Sequence, residues 1–239
     1  MSHVKNVQAF GKLIGICTGY GGSYKPGQQH LQVNALAALS KSAQQLMDEV
    51  TEAQIVYDRA TNNRVLGFKD LRYVSAAVCQ VLKSSGANAL TISDASLYYA
   101  KLYGATRIRS KATPQETTPV ENQKSRSSRN RNFAALVQHF ALLVETVSKE
   151  PLYQPTEERL SVTGLKQKLA ELQVLNAAAM EAEIQLTSAR RLRNEVYYET
   201  MFSLFNTAVA VKQYVRGVFG FNSAQHNEMK ELRFTKPGA

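Results

Sequence analysis

The chain is expected to be all-α: a pseudo-twofold, four-helix-bundle-like core made of two tandem long α-hairpin repeats, with shorter helices capping it. Three observations predict this. Residues 24–36 read YKPGQQHLQVNAL and residues 153–165 read YQPTEERLSVTGL, so Tyr24, Pro26, Leu31, Val33 and Leu36 recur 129 positions later. That register continues through Ile55/Ile184, Ala60/Ala189 and Arg64/Arg193, the signature of a repeated structural unit. Composition points the same way, with no tryptophan, only 6 prolines and many alanines, which favours helix over sheet.

Each copy opens with a short amphipathic helix, predicted over 5–18 and 132–149. Pro26 and Pro155 close it, because proline cannot continue a helix. His139 falls on the second of these helices, where the constant offset puts Phe10 in the first. A long helix follows, over 31–66 and 158–197. Its seam in the second copy runs Leu172, Leu175, Ala179, Ala182, Leu186, Ala189, Arg193 and Val196. In the first it runs Ala43, Leu46, Val50, Ala53, Tyr57, Ala60, Arg64 and Gly67. The alternation of three and four residues is a coiled-coil-like heptad, and its alanines let helices approach closely.

A third helix is predicted over 69–84 and 201–218. Gly86 and Gly220 would end it with the positive φ of a C-terminal cap. The offset has grown to 134 at these glycines, which places five extra residues near Tyr197–Thr200. A last short helix is expected over 91–103 and 222–231. The domain organisation is therefore a first repeat over 1–106, a linker over 107–131 and a second repeat over 132–239, the repeats packing as one domain. Each hairpin alone would expose an apolar stripe, which pairing would bury.

The linker breaks the pattern. Residues 107–132 lack apolar periodicity, contain Pro114 and Pro119, and read as flexible. They carry Arg107, Arg109, Lys111, Lys124, Arg126, Arg129 and Arg131 against Glu116 and Glu121, half of a net charge of +10. A basic excess of that size favours anionic partners. SRSSRNRN reads as a nucleic-acid-binding arm, so these seven residues are the candidate phosphate contacts.

Chemistry-bearing patterns are sparse. Cys17 and Cys79 have no CxxC or Cys/His spacing and read as buried free thiols of a reducing compartment. His3, His30, His139 and His226 lack the Glu-x-x-His pairing of a carboxylate-bridged metal bundle. Gly19–Gly22 is neither a GxxxxGK[ST] loop nor a dinucleotide fingerprint. No catalytic residue, cofactor or metal is assigned, and the chain is expected not to be an enzyme. The apolar run from Leu13 to Cys17 is too short for a signal peptide, and no stretch reaches the length of a membrane span. A soluble, cytoplasmic protein is expected.

Arg64 and Arg193 stand out, because both occupy a seam position that a bundle normally gives to an apolar side chain. They would either line a polar pocket or lay their stems on the core with the guanidinium in water. Asp58, Glu195 and Glu199 are the available acidic partners. Tyr98, Tyr99, Tyr103, Tyr197, Tyr198 and Tyr214 are mostly accounted for by the packing of amphipathic helices. The other reading is that, interleaved with Lys101, Arg107, Arg193 and Arg216, they stack on bases or form an interface.

The stretches HVKNVQAFGKLIGICTGYGGSYKP, SARRLRNEVYY and AVAVKQYVRGVFGFNSAQHNEMKELRFTKP resemble a group of uncharacterised bacterial helical proteins of the Bacteroidota type. The resemblance covers most of the chain outside the linker and implies a duplicated helical fold with no known activity. The expected role is a non-catalytic structural or protein-interaction protein, working through a protein partner or self-association. The alternative is sequence-independent nucleic-acid binding through the linker and the bundle surface. A small-ligand carrier, with polar groups including Arg64 and Arg193 converging on an enclosed pocket, is a third possibility.

Overall fold

The computed structural model describes residues 2–103 and 132–236. The basic linker, with Arg107, Arg109, Lys111, Lys124, Arg126, Arg129 and Arg131, lies outside the described residues. Among those described, all regular secondary structure is helical. The α-helices are α1 (Ser2–Gly19), α2 (Val33–Gly67), α3 (Leu71–Ser84), α4 (Ala89–Tyr103), α5 (Phe133–Ser148), α6 (Val162–Asn194), α7 (Leu204–Phe219) and α8 (Ala224–Glu231). No helix of the described residues is long and apolar enough to cross a membrane.

Local chemistry sets the helix ends. The side chains of Asn132, Ser203 and Ser223 accept from the backbone N–H of Ala135, Asn206 and His226, capping α5, α7 and α8. Each cap satisfies one of the donors that a helix leaves unpaired at its start. Gly86 and Gly220 have φ of 79° and 93°, a backbone region that side chains avoid, so both expected helix stops are met.

The two tyrosine–proline turns share one geometry. Tyr24 Oη donates to Leu31 O at 2.8 Å, and Tyr153 Oη donates to Leu160 O at 2.8 Å. Both tyrosines are buried, and a 3-10 turn follows each proline, at Gln29–Leu31 and at Glu158–Leu160. The hydroxyl closes the loop onto the first turn of the long helix and satisfies a carbonyl that burial would otherwise leave unpaired.

The chain divides into two compact units that do not follow the sequence repeats. One comprises Met1–Asp58 with Ala182–Ala239, the other Arg59–Glu181. The division falls inside α2 and inside α6, so each long helix contributes to both units. In the first unit α2 meets the C-terminal part of α6, where Arg190 Nη2 donates to Gln54 Oε1 at 2.7 Å. Just beyond α6, Tyr197 Oη donates to Ala43 O at 3.0 Å. In the second unit the C-terminal part of α2 meets the start of α6, with Arg64 beside Asn176 and Leu175 packed onto the bare backbone of Gly67. In both units position numbers rise along one helix as they fall along the other, an antiparallel pairing. Every seam residue predicted from the heptad is buried or half-buried.

The first core gathers Phe10, Leu13 and Cys17 of α1 with Leu36, Tyr197, Val211 and Met229. The second gathers Phe140, Leu143 and Val147 of α5 with Leu71, Val78, Leu82 and Leu165. These lists correct two alignments. Phe10, Leu13 and Cys17 match Phe140, Leu143 and Val147 at an offset of 130, so Phe140 takes the buried place of Phe10 and His139 is only half-buried. Leu71, Ser75, Val78 and Leu82 of α3 match Leu204, Ala208, Val211 and Val215 of α7 at an offset of 133. Four extra residues, not five, therefore precede α7. The same stretch of chain contains a π-helical turn at Glu195–Glu199.

Replacing either turn tyrosine by phenylalanine leaves a buried carbonyl unpaired and should lower stability by about 1–2 kcal/mol in urea titration. Glycine substitutions should part company by location. A Cβ at Gly164 would run into the Glu158 carbonyl oxygen, whereas one at Gly15 meets nothing. Gly164→Ala should cost about 1–3 kcal/mol, and Gly15→Ala should be neutral or stabilising by up to about 1 kcal/mol, read as opposite shifts of the denaturation midpoint.

Candidate functional site

The core face of α1 carries residues at positions 6, 10, 13 and 17, and three of them are apolar. The fourth, Asn6, is fully buried. Burying an amide is costly unless all of its polar atoms find partners, and these do. Asn6 Oδ1 accepts from Thr235 N at 3.0 Å, and Asn6 Nδ2 donates to Thr235 O at 2.8 Å. The second Nδ2 hydrogen reaches Tyr198 Oη at 3.2 Å. Tyr198 belongs to the π-helical turn and is itself buried. Its hydroxyl also hydrogen-bonds His3 Nδ1, 2.9 Å away.

The contact engages Nδ1 of the ring, with the phenol able to donate to it or accept from it. Burial, followed by the nearby charge of Arg193, pushes the pKa of His3 down to about 4. The ring packs edge-on against Tyr197, with centroids 5.6 Å apart, and tilted against Tyr198 at 5.5 Å. Arg193 is held by its neighbour, donating from Nε at 3.2 Å and from Nη2 at 2.9 Å to Asn194 Oδ1. A chain of hydrogen bonds thus runs from His3 through Tyr198 and Asn6 to the main chain of Thr235, with the charge of Arg193 near its His3 end, all within the first unit.

Arg64, in the second unit, has apolar surroundings. Its guanidinium lies 4.4 Å from the centre of the Phe133 ring, with a long contact of 3.5 Å from Nη1 to Asn176 Oδ1. Phe68 stacks edge-on against Phe133 at 4.9 Å. The residues 130 positions after His3 and Asn6 are Phe133 and Leu136, so the polar network has no counterpart there.

The expected acidic partners are not used. Neither arginine makes an ion pair among the described residues, where the salt bridges are Lys149–Glu145, Lys168–Asp70 and Lys168–Glu171. Asn176, Asn194 and an aromatic face take the place of Asp58, Glu195 and Glu199. Arg64 and Arg193 belong to different units, each with its own surroundings. The tyrosines pack as expected: Tyr197 and Tyr198 are buried, and Tyr98, Tyr99 and Tyr103 lie against the second core. Tyr214 sits edge-on to Tyr24 at 5.4 Å.

Reactive groups are muted. Burial pushes the Cys17 thiol up to about 11 and raises that of Cys79, so neither forms a ready thiolate nucleophile. Among the described residues no three His, Cys, Asp or Glu side chains cluster as metal ligands would. An open groove of about 760 Å³ runs between α1 and α8, lined by Lys12, Gly15, Gly19, Tyr20, Glu228 and Glu231. The Tyr20 hydroxyl is engaged there with Gln225 O and Glu228 Oε2.

Sequence reasoning singled out Arg193 and missed Asn6, His3 and Thr235. The available signal was Asn6 itself, a polar residue at a core-facing position of an otherwise apolar stripe.

The fold and site define an all-α protein with one polar network buried beside an apolar core. No known family, curated protein or solved structure matches the chain.

The His3 arrangement makes stability depend on pH. Unfolded His3 takes up a proton near pH 6.5, whereas the folded protein resists until about pH 4. The unfolded state therefore binds more protons between those values, and stability falls as pH drops through that window. The contribution of His3 is fully present above pH 6.5. His3→Phe, which copies Phe133, should flatten this part of the curve in denaturant titrations between pH 7 and 4. An unchanged slope would contradict the assignment.

Proposed function

We propose that the protein is a non-catalytic interaction protein that associates with a second copy of itself through the outer faces of its long helices. The observation that carries this reading is a matched pair of exposed isoleucines. Ile55 is 58% exposed on α2 and Ile184 is 68% exposed on α6, and they lie 129 positions apart. Each sits midway between two seam residues, Ala53 and Tyr57 or Ala182 and Leu186, and therefore faces away from the seam. Neighbouring Val56 is half exposed and Met180 is 52% exposed. Branched apolar side chains at the outermost positions of both helices are what an association surface requires. A pseudo-twofold relation between the repeats, which the matched turns and seams support, would present two equivalent copies of that surface.

The charge of the linker favours a second reading, sequence-independent nucleic-acid binding, because half of the net positive charge lies within residues 107–131. Light scattering on a sizing column at 50 and 500 mM salt, with the 260/280 nm ratio recorded, separates the two. Self-association predicts a salt-insensitive mass above one chain that Ile55→Lys with Ile184→Lys reduces to one chain. A clean monomer of the unaltered protein would refute it. Nucleic-acid binding predicts a complex that dissolves at high salt and is lost when Arg107, Arg109, Arg126 and Arg129 become glutamine, since each phosphate contact releases counterions.

A further inference from the structure

After α8 the chain leaves helical geometry at Leu232, whose backbone is extended, and residues 232–236 lie without regular secondary structure against α1 and α7, their side chains alternating between half-buried and exposed from Leu232 to Thr235. The surface beneath them holds this segment largely by its main chain. Asn6 pairs with both the N–H and the C=O of Thr235. The Lys212 ammonium, on α7, donates to the carbonyl of Leu232. Only two side chains of the segment add to the hold. Leu232 and Phe234 are half-buried against the first core, with Phe234 edge-on to Phe10 at 6.5 Å and the Lys212 ammonium 5.3 Å from its ring centre. Arg233, Thr235 and Lys236 face solvent.

We propose that this surface is a peptide-binding groove, occupied in cis by residues 232–236. Its ligand would be an extended peptide with an aliphatic residue, an aromatic residue two positions later and a free main-chain N–H at the next. The segment seated on it defines that chemistry. The hydrogen bonds are made to backbone atoms, which any extended peptide supplies, while the aliphatic and aromatic contacts select for sequence. This is the division of labour by which grooves recognise extended peptides.

The site is preorganised as well as complementary. Asn6 is fully buried, and its amide is oriented by Tyr198 and, behind it, by neutral His3. A fixed donor–acceptor pair of this kind reduces the ordering cost of binding. The second unit lacks the arrangement: Leu136 stands where α1 has Asn6, and α4 stays helical through Tyr103. The buried amide therefore serves a non-helical main chain and is not a general demand of the helix packing. The proposal goes beyond self-association and does not depend on it, since it concerns a different surface.

A tethered segment competes with a free peptide at an effective concentration in the millimolar range, so weakening it in cis should open the groove. The test uses the full chain and a fluorescein-labelled ELRFTK peptide, read by anisotropy. Phe234→Ala should bind the labelled peptide at least about tenfold more tightly than the unaltered protein. Thr235→Pro, which removes the N–H donated to Asn6 at an exposed residue and also fixes the local backbone, should do the same. ELRATK should not bind, and adding Asn6→Leu to either variant should abolish binding of ELRFTK. If Phe234→Ala fails to fold, Thr235→Pro decides alone. Unchanged affinity in a variant with native circular dichroism, or binding that survives Asn6→Leu, overturns the proposal.

Discussion

The structure depends on the antiparallel seam between the two long helices. Most of α2 lies in one compact unit and most of α6 in the other, with the remainder of each crossing over, so each unit contains residues from both halves of the sequence. The first unit joins α1 and the start of α2 to the end of α6, α7 and α8. The second joins the end of α2, α3 and α4 to α5 and the start of α6. A seam shared in this way must be narrow. Small residues such as Ala43, Ala179 and Ala182 and larger ones such as Leu172 and Leu186 are buried along it. Helices that touch along so thin a stripe leave most of their circumference in water.

The starts of α1 and α5 differ in chemistry. At the foot of α5 the second copy is apolar, with Phe133 covered by the Arg64 guanidinium and Phe68. At the foot of α1 the corresponding places hold His3, Asn6, Tyr197 and Tyr198. A buried polar network stands only when every member is satisfied. Here satisfaction requires both the π-helical turn that carries Tyr198 and the main chain at Thr235. The four extra residues fall between the end of the seam and α7, the stretch that contains that turn. The insertion, the turn, the polar foot of α1 and the segment 232–236 occur together in the first unit, which is the physical basis for treating them as one site.

Much of the helical pattern could be read directly from residues. The heptad in 43–67 and 172–196 identified the seam, and burial in the structure follows it position by position. The glycine stops and tyrosine turns were equally legible, because each rests on local backbone chemistry. The register of the first helix was not. A one-residue shift between α5 and the turn that follows it moves the buried ring from His139 to Phe140, and an ungapped comparison cannot detect it. The role of Asn6 was hidden for another reason. A lone polar residue on an apolar stripe declares an unmet need, and the group that meets it lies 229 positions away in sequence.

By itself, the sequence determined what is local or periodic: helix rather than strand, where helices stop, which face of each long helix is apolar, and the repetition of these features. Only the tertiary structure decided which halves share a core, which arginine meets an aromatic ring and which stands beside a histidine, and that a buried amide closes on a non-helical main chain. The reason is physical. Periodicity and capping depend on neighbours within one or two turns, whereas satisfying a buried polar atom depends on whichever distant segment packing brings within hydrogen-bond reach.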